Sequence, residues 1–122
     1  MKLELIILLL FIHFISDWIL QPRVMAKQKS EKISVLLTHG AVLYFSMFVV
    51  FCYQGFSLSW IWVSAIYVVA HLIQDFFLWR VYKLFRTPAV KYWEDYWFYT
   101  FIAIDQLIHL SILFYLMSMI VK

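Results

Sequence analysis

The sequence predicts an all-α integral membrane protein: a four-helix bundle with a short interfacial helical segment between its third and fourth spans. The 122 residues are 66% hydrophobic, 21% aromatic and only 14% charged, and a soluble domain of this size could not bury so much apolar surface. Four apolar segments each approach the roughly 20 residues that cross the hydrocarbon of a bilayer. We therefore treat residues 1–122 as a single transmembrane domain.

Each of the four predicted spans follows from an apolar run between polar connections. The spans are Leu3–Leu20, Ile33–Tyr53, Leu58–Trp79 and Trp97–Val121. The first resembles a signal peptide in its position, but no small-residue cleavage site follows it, and it contains His13 and Asp17. We therefore expect it to remain in the protein as a permanent span.

The basic residues are concentrated in two of the three connections. Eight of the ten Lys and Arg residues lie in residues 21–32 and 80–96, and the connection between the second and third spans has none. The positive-inside rule places those two connections in the cytoplasm and both termini outside. This distribution predicts a multi-pass protein of the bacterial inner membrane.

The connection between the third and fourth spans mixes basic and aromatic side chains around Pro88. Such a mixture suits the headgroup layer of a membrane, where it commonly serves as a simple anchor. It could also bind a lipid phosphate. The candidate lipid-binding residues are Arg80, Lys83 and Arg86.

The main chemical signal is a repeated pairing of His and Asp four residues apart, which places both on one helix face. The pairs are His13 with Asp17, His71 with Asp75, and Asp105 with His109. The order is reversed in the last pair because the fourth span runs in the opposite direction, so every Asp lies nearer the cytoplasm. With His39 of the second span, these side chains lie about 6 to 18 Å from the inner ends of their helices.

Three interpretations of this pattern compete: a metal site, a metal-free proton or ion path, and hydrogen bonds that hold helices together. An Asp within a span costs roughly 2.5–3.5 kcal/mol, whereas an interhelical hydrogen bond returns less than about 1 kcal/mol. We favour a divalent metal (Zn, Mn or Fe), since imidazole and carboxylate suit these ions and the lone Cys52 offers no thiolate cluster. The predicted ligands are His13, Asp17, His39, His71, Asp75, Asp105 and His109, with Gln21 and Gln106 beside them.

The leading functional hypothesis is a metal-dependent hydrolase that acts on a membrane lipid or a lipid-linked phosphate. Asp17, Asp75 and Asp105 are the catalytic candidates, because an Asp that does not bind the metal could act as general base. The alternatives are a metal-ion or proton transporter or channel, and a non-catalytic membrane partner of another protein. A homodimer would suit so small a bundle, and nucleic-acid binding is not expected. Lys29 could turn toward the site from the first connection, although a solvated side chain is the preferred expectation.

These motifs together resemble a bacterial family of small membrane proteins catalogued as domain of unknown function 3307. The resemblance covers nearly the whole chain and includes "LQ" at Leu20–Gln21, "MAKQK" at Met25–Lys29, "LLTH" ending at His39 and "DQLIH" at Asp105–His109. The family often has Lys where this chain has Leu78, so no role of that Lys carries over. A looser similarity connects the chain to inner-membrane proteins described as metal-dependent hydrolases.

Overall fold

The computed structural model describes residues 1–121 as an assembly of α-helices without any strand. Its five α-helices are α1 (Leu3–Phe14), α2 (Arg23–Gln28), α3 (Ile33–Gln54), α4 (Leu58–Phe85) and α5 (Tyr96–Ile120). A π-helical turn, Ile15–Ile19, continues α1, and a 3-10 turn, Tyr92–Glu94, precedes α5. The sequence prediction of an all-α protein is confirmed.

Three helices, α3, α4 and α5, are long and apolar enough to cross a membrane, with mean hydropathies of 2.0, 1.6 and 1.6. Their outer surfaces carry exposed large apolar side chains such as Phe45, Ile66 and Leu107. Such a continuous apolar exterior suits lipid rather than water as the surrounding solvent. The predicted ends of the second and fourth spans agree with α3 and α5 to within one residue.

The first predicted span differs from the other three. Its α-helix α1 has only 12 residues, and a π-helical turn of five residues follows. Together they extend about 25 Å at a rise of about 1.5 Å per residue. A fourth crossing of the membrane by this segment, and with it the four-helix bundle, therefore stays a prediction.

The two basic connections contain more helix than the sequence indicated. Helix α4 continues without a break through Phe85, because no helix-breaking residue lies between Trp79 and Pro88. Arg80 and Lys83 consequently lie on α4 and not on a separate interfacial helix. In the first connection, Pro22 stands at the N-cap of the short helix α2, which packs against α3.

The interior of the bundle has two halves of different chemistry. One half is apolar and lies beyond the His residues of α1, α3 and α5. It contains Leu5, Leu9, Leu43, Met47, Val50, Leu113 and Met117. The other half holds the polar side chains, and there α3 approaches α4 closely at Gly40. A Cβ at position 40 would lie 2.6 Å from Leu72 Cδ1, so a larger residue there would require the Leu72 side chain to move.

Candidate metal centre

All seven predicted ligands lie inside the protein, each with at most 4% of its surface exposed. They come from α1, the π-helical turn, α3, α4 and α5, and we call them the His/Asp cluster. Its members are His13, Asp17, His39, His71, Asp75, Asp105 and His109. The helix-face argument from the sequence thus led to residues that the fold brings to one place.

Four atoms of the His/Asp cluster are spaced as in a tetrahedral metal site along five of their six edges. His39 Nε2 lies 3.2 Å from Asp17 Oδ1 and 3.4 Å from Asp75 Oδ2. His71 Nε2 lies 3.3 Å from each of these oxygens, and the two Nε2 atoms are 3.3 Å apart. A tetrahedral site with ligand bonds of about 2.0 Å has edges of about 3.3 Å. Five edges of this tetrahedral set therefore match.

Hydrogen bonds alone do not satisfy the tetrahedral set. Each Nε2 faces three nitrogen or oxygen atoms within 3.4 Å, yet an imidazole nitrogen offers a single proton or a single lone pair. Within residues 1–121, Asp17 Oδ1 and both oxygens of Asp75 accept no hydrogen bond of good geometry. A cation at the centre would satisfy all four atoms at once.

The polar neighbours of the tetrahedral set orient one of its histidines. Asp17 and Asp105 are hydrogen-bond acceptors only, so the amide NH₂ of Gln106 must face them, at 2.8 and 3.3 Å. The amide oxygen of Gln106 then lies 2.9 Å from His13 Nε2, which must donate to it. In the neutral His13 ring, Nδ1 is therefore an acceptor.

Tyr67 transmits this orientation to His71. Its hydroxyl donates to His13 Nδ1 at 2.9 Å, so its oxygen is free to accept the proton of His71 Nδ1 at 3.4 Å. The Nε2 atom of His71 is then unprotonated and presents its lone pair to the tetrahedral set. Both ring nitrogens of His13 thus face neutral partners, while His13 also lies with Asp17 and His109 in a second group that could hold a metal ion.

His109 lies close to carboxylate oxygens that are outside the tetrahedral set. Its Nε2 lies 3.7 Å from Asp75 Oδ1 and 3.6 Å from Asp105 Oδ1, and its Nδ1 lies 3.7 Å from Asp17 Oδ2. The ring stacks on His71 with centroids 3.6 Å apart. Gln74 and Gln106 donate to Asp105, whereas neither nitrogen of His109 has a hydrogen-bond partner within residues 1–121.

Lys29 is part of the centre, and the expectation that it would be solvated is wrong. The side chain is only 4% exposed, and its Nζ lies 3.0 Å from Asp75 Oδ2 and 4.0 Å from Asp17 Oδ1. Burial acts to lower the pKa of this ammonium, but the two carboxylates outweigh it and raise the pKa above its ordinary value. Lys29 is therefore a cation at neutral pH.

A cavity of about 620 Å³ connects the His/Asp cluster with the protein surface between α2, α4 and α5. We call it the basic cavity, because Arg23, Lys27, Lys29, Lys83 and Arg86 are in its walls. The members of the His/Asp cluster that line it are Asp17 and Asp105. These two carboxylates are thus the accessible side of the centre.

The predicted lipid-binding residues take different positions. Lys83 and Arg86 line the basic cavity, whereas Arg80 donates from Nε to the Ser30 carbonyl at 2.9 Å and covers the Phe76 ring. Lys83 also pairs with Glu31 at 2.6 Å.

The two glutamines predicted to lie beside the metal ligands also take different positions. Gln106 contacts the His/Asp cluster, while Gln21 lines the basic cavity without touching the tetrahedral set. Tyr67 was not predicted from the sequence, although it precedes His71 by four residues and so shares its helix face.

Comparison with known proteins identifies a family but no close relative. No curated protein matches the chain, and no solved structure matches it. Residues 5–122 match the profile of a family described as "Protein of unknown function (DUF3307)". This match includes all seven residues of the His/Asp cluster. The chain belongs to the DUF3307 family.

Proposed function

We propose that the tetrahedral set binds one divalent metal ion, preferably zinc, and that the protein is a metal-dependent hydrolase of a lipid or lipid-linked substrate. The observation that carries the proposal is the set of five edges of 3.2–3.4 Å among two imidazole nitrogens and two carboxylate oxygens. Tetrahedral coordination by His and carboxylate is typical of zinc, while Mn²⁺ prefers more oxygen ligands and six-coordination.

Charge balance supports a bound dication. With all three ionised, the buried carboxylates of Asp17, Asp75 and Asp105 would carry three negative charges against the one positive charge of Lys29. A divalent cation would bring the sum to zero. Since an uncompensated charge in a low-dielectric interior costs several kcal/mol, a neutral centre is the arrangement that the membrane environment favours.

The side of the centre that lines the basic cavity suggests which residues are metal ligands and which one is the general base. His39, His71 and Asp75 do not line the basic cavity, and we assign them as the permanent ligands. Asp17 is the fourth ligand and lines the cavity, so that an entering water molecule would reach the metal beside it. Asp105 also lines the cavity and lies outside the tetrahedral set, and we assign it as general base. When bound, the metal would lower the pKa of that water toward about 7.

The two halves of the bundle favour hydrolysis over transport. The basic cavity reaches the His/Asp cluster from one end, and buried apolar side chains such as Leu9, Leu43 and Met47 fill the interior on the other side. A transport path would need polar groups along its full length. We propose that the centre lies near the cytoplasmic side of the inner membrane; the basic residues at the cavity end support this through the positive-inside rule.

Two measurements on detergent-purified protein test this proposal. We expect about one zinc per chain by elemental analysis, and a water-soluble product released from a membrane lipid extract by the wild type but not by His71→Ala. A chelator should stop the release and added zinc should restore it. Metal-loaded wild type that releases no more product than His71→Ala would contradict the hydrolase. Zinc uptake into vesicles would contradict it in favour of transport.

A further inference from the structure

The basic cavity combines two kinds of wall that together suit a charged amphiphile. One wall is cationic, and the other is aromatic, formed by Trp18, Trp79, Tyr82, Tyr92 and Phe98. A small polar metabolite would leave the aromatic surface without an apolar contact, and a neutral lipid would leave the cations without a counter-charge. Aromatic rings of this kind commonly lie at the level of lipid headgroups.

Several cations of the basic cavity are not neutralised within the protein. Lys83 pairs with Glu31, and Lys29 pairs with Asp75. In contrast, no carboxylate of residues 1–121 lies within 4.0 Å of the charged nitrogens of Arg23, Lys27 or Arg86. Arg23 and Lys27 are one turn apart on α2, so that both can reach one ligand group.

A buried donor without a partner also borders the basic cavity. The indole N–H of Trp79 has no hydrogen-bond acceptor among residues 1–121. An indole N–H can only donate, so it requires an acceptor such as a phosphate or ester oxygen. The cavity therefore offers donors and cations to an anionic ligand at the entrance to the metal centre.

We propose that the basic cavity binds the phosphate of a membrane-embedded phosphate monoester, which is the substrate of the hydrolase proposed above. A monoester carries close to two negative charges at neutral pH, which the free cations Arg23, Lys27 and Arg86 match better than the single charge of a diester. The aromatic wall receives the first part of the alkyl chain.

Hydrolysis of this substrate balances without any further reactant. The oxygen of water forms a bond to phosphorus while Asp105 accepts one of its protons. The phosphorus–oxygen bond to the alcohol breaks, and the departing oxygen receives a proton, so that the products are inorganic phosphate and a membrane alcohol. Lys29, beside Asp75 at the inner end of the cavity, would stabilise the charge on the phosphate oxygens.

Binding can be measured without turnover, which separates this inference from the hydrolase proposal. The full chain in detergent with a chelator is titrated with phosphatidic acid, phosphatidylglycerol or soluble glycerol 3-phosphate, and native mass spectrometry counts the bound molecules. We expect phosphatidic acid to bind at least about tenfold more tightly than either of the others, because only it combines a dianion with an alkyl chain. Retained helix content confirms that each protein sample is folded.

The double variant Arg23→Gln/Lys27→Gln is the test of the site, and Lys91→Gln, which removes a cation outside the cavity, is its control. We expect the double variant to lose about tenfold or more in affinity for phosphatidic acid, and the control to lose less than about twofold. Equal binding of phosphatidic acid and phosphatidylglycerol, or no loss in the double variant, would overturn the proposal. Equally tight binding of glycerol 3-phosphate would overturn the membrane-embedded substrate.

Discussion

Two buried carboxylates at the same end of the protein have opposite surroundings. Asp95, which is 1% exposed, accepts hydrogen bonds from the hydroxyls of Thr87 and Tyr82, each at 3.1 Å, and from the backbone N–H of Trp97 at 3.3 Å. Asp75 is completely buried, and its oxygens face imidazole nitrogens and the Lys29 ammonium without a hydrogen bond of good geometry.

The difference separates a structural carboxylate, Asp95, from the proposed metal ligand Asp75. Asp95 has the donors that a carboxylate needs, and it caps α5 while it fixes the connection from α4. Burial acts to raise its pKa, but the hydrogen bonds from Thr87 and Tyr82 outweigh it and hold the pKa below its ordinary range. The oxygens of Asp75 instead lack hydrogen bonds of good geometry, and a bound cation would satisfy them together with the imidazole nitrogens beside them. The exposed fraction does not distinguish the two carboxylates, because both are buried. Their hydrogen-bond partners do distinguish them.

The largest effect should follow from Asp75→Asn, which removes a ligand charge and keeps the shape of the side chain. We expect the bound metal to fall from about one per chain to nearly zero, since a permanent ligand is lost, while the helix content stays constant. Elemental analysis and circular dichroism measure the two quantities. Asp95→Asn is the matched control and should keep its metal; metal loss in both variants, or in neither, would contradict the distinction.

A smaller effect should follow from Tyr67→Phe, which removes the hydroxyl between His13 and His71. Without that hydroxyl, nothing orients the proton of His71 on Nδ1, so the metal affinity should fall about 10- to 100-fold. A competition titration with a zinc-binding dye measures the affinity. Tyr44→Phe serves as control because this tyrosine packs in the apolar half of the bundle. An unchanged zinc affinity would contradict the role of Tyr67 in orienting the His71 ring.

The smallest effect concerns stability against pH at Asp95. Because its pKa is depressed in the folded protein, its contribution is complete above the unfolded pKa of about 3.9 and is lost as the pH falls through the folded pKa. We expect the Tm of the wild type to fall more steeply below about pH 4 than that of Asp95→Asn. Both samples contain a chelator, so that acid release of metal does not contribute. Parallel curves would show that Asp95 is not held as an anion.

The sequence predicted the His/Asp cluster because a spacing of four residues survives intact in α4 and α5. It did not reveal the π-helical turn that carries Asp17, since hydrogen bonds from residue i+5 leave no mark in the residue pattern. The burial of Lys29 was also hidden, because it depends on how α2 folds back over the bundle. Which side-chain atoms face the proposed metal depends on the rotamers, and the spacing of residues along a helix does not predict rotamers.

The central claim is that one divalent ion is bound by His39, His71, Asp17 and Asp75. X-ray absorption at the zinc edge, on purified protein loaded with one equivalent of zinc, tests it most directly. The account predicts about four nitrogen and oxygen neighbours near 2.0 Å with the outer-shell scattering of two imidazoles. A spectrum without imidazole scattering, or one that His71→Ala leaves unchanged, would contradict it.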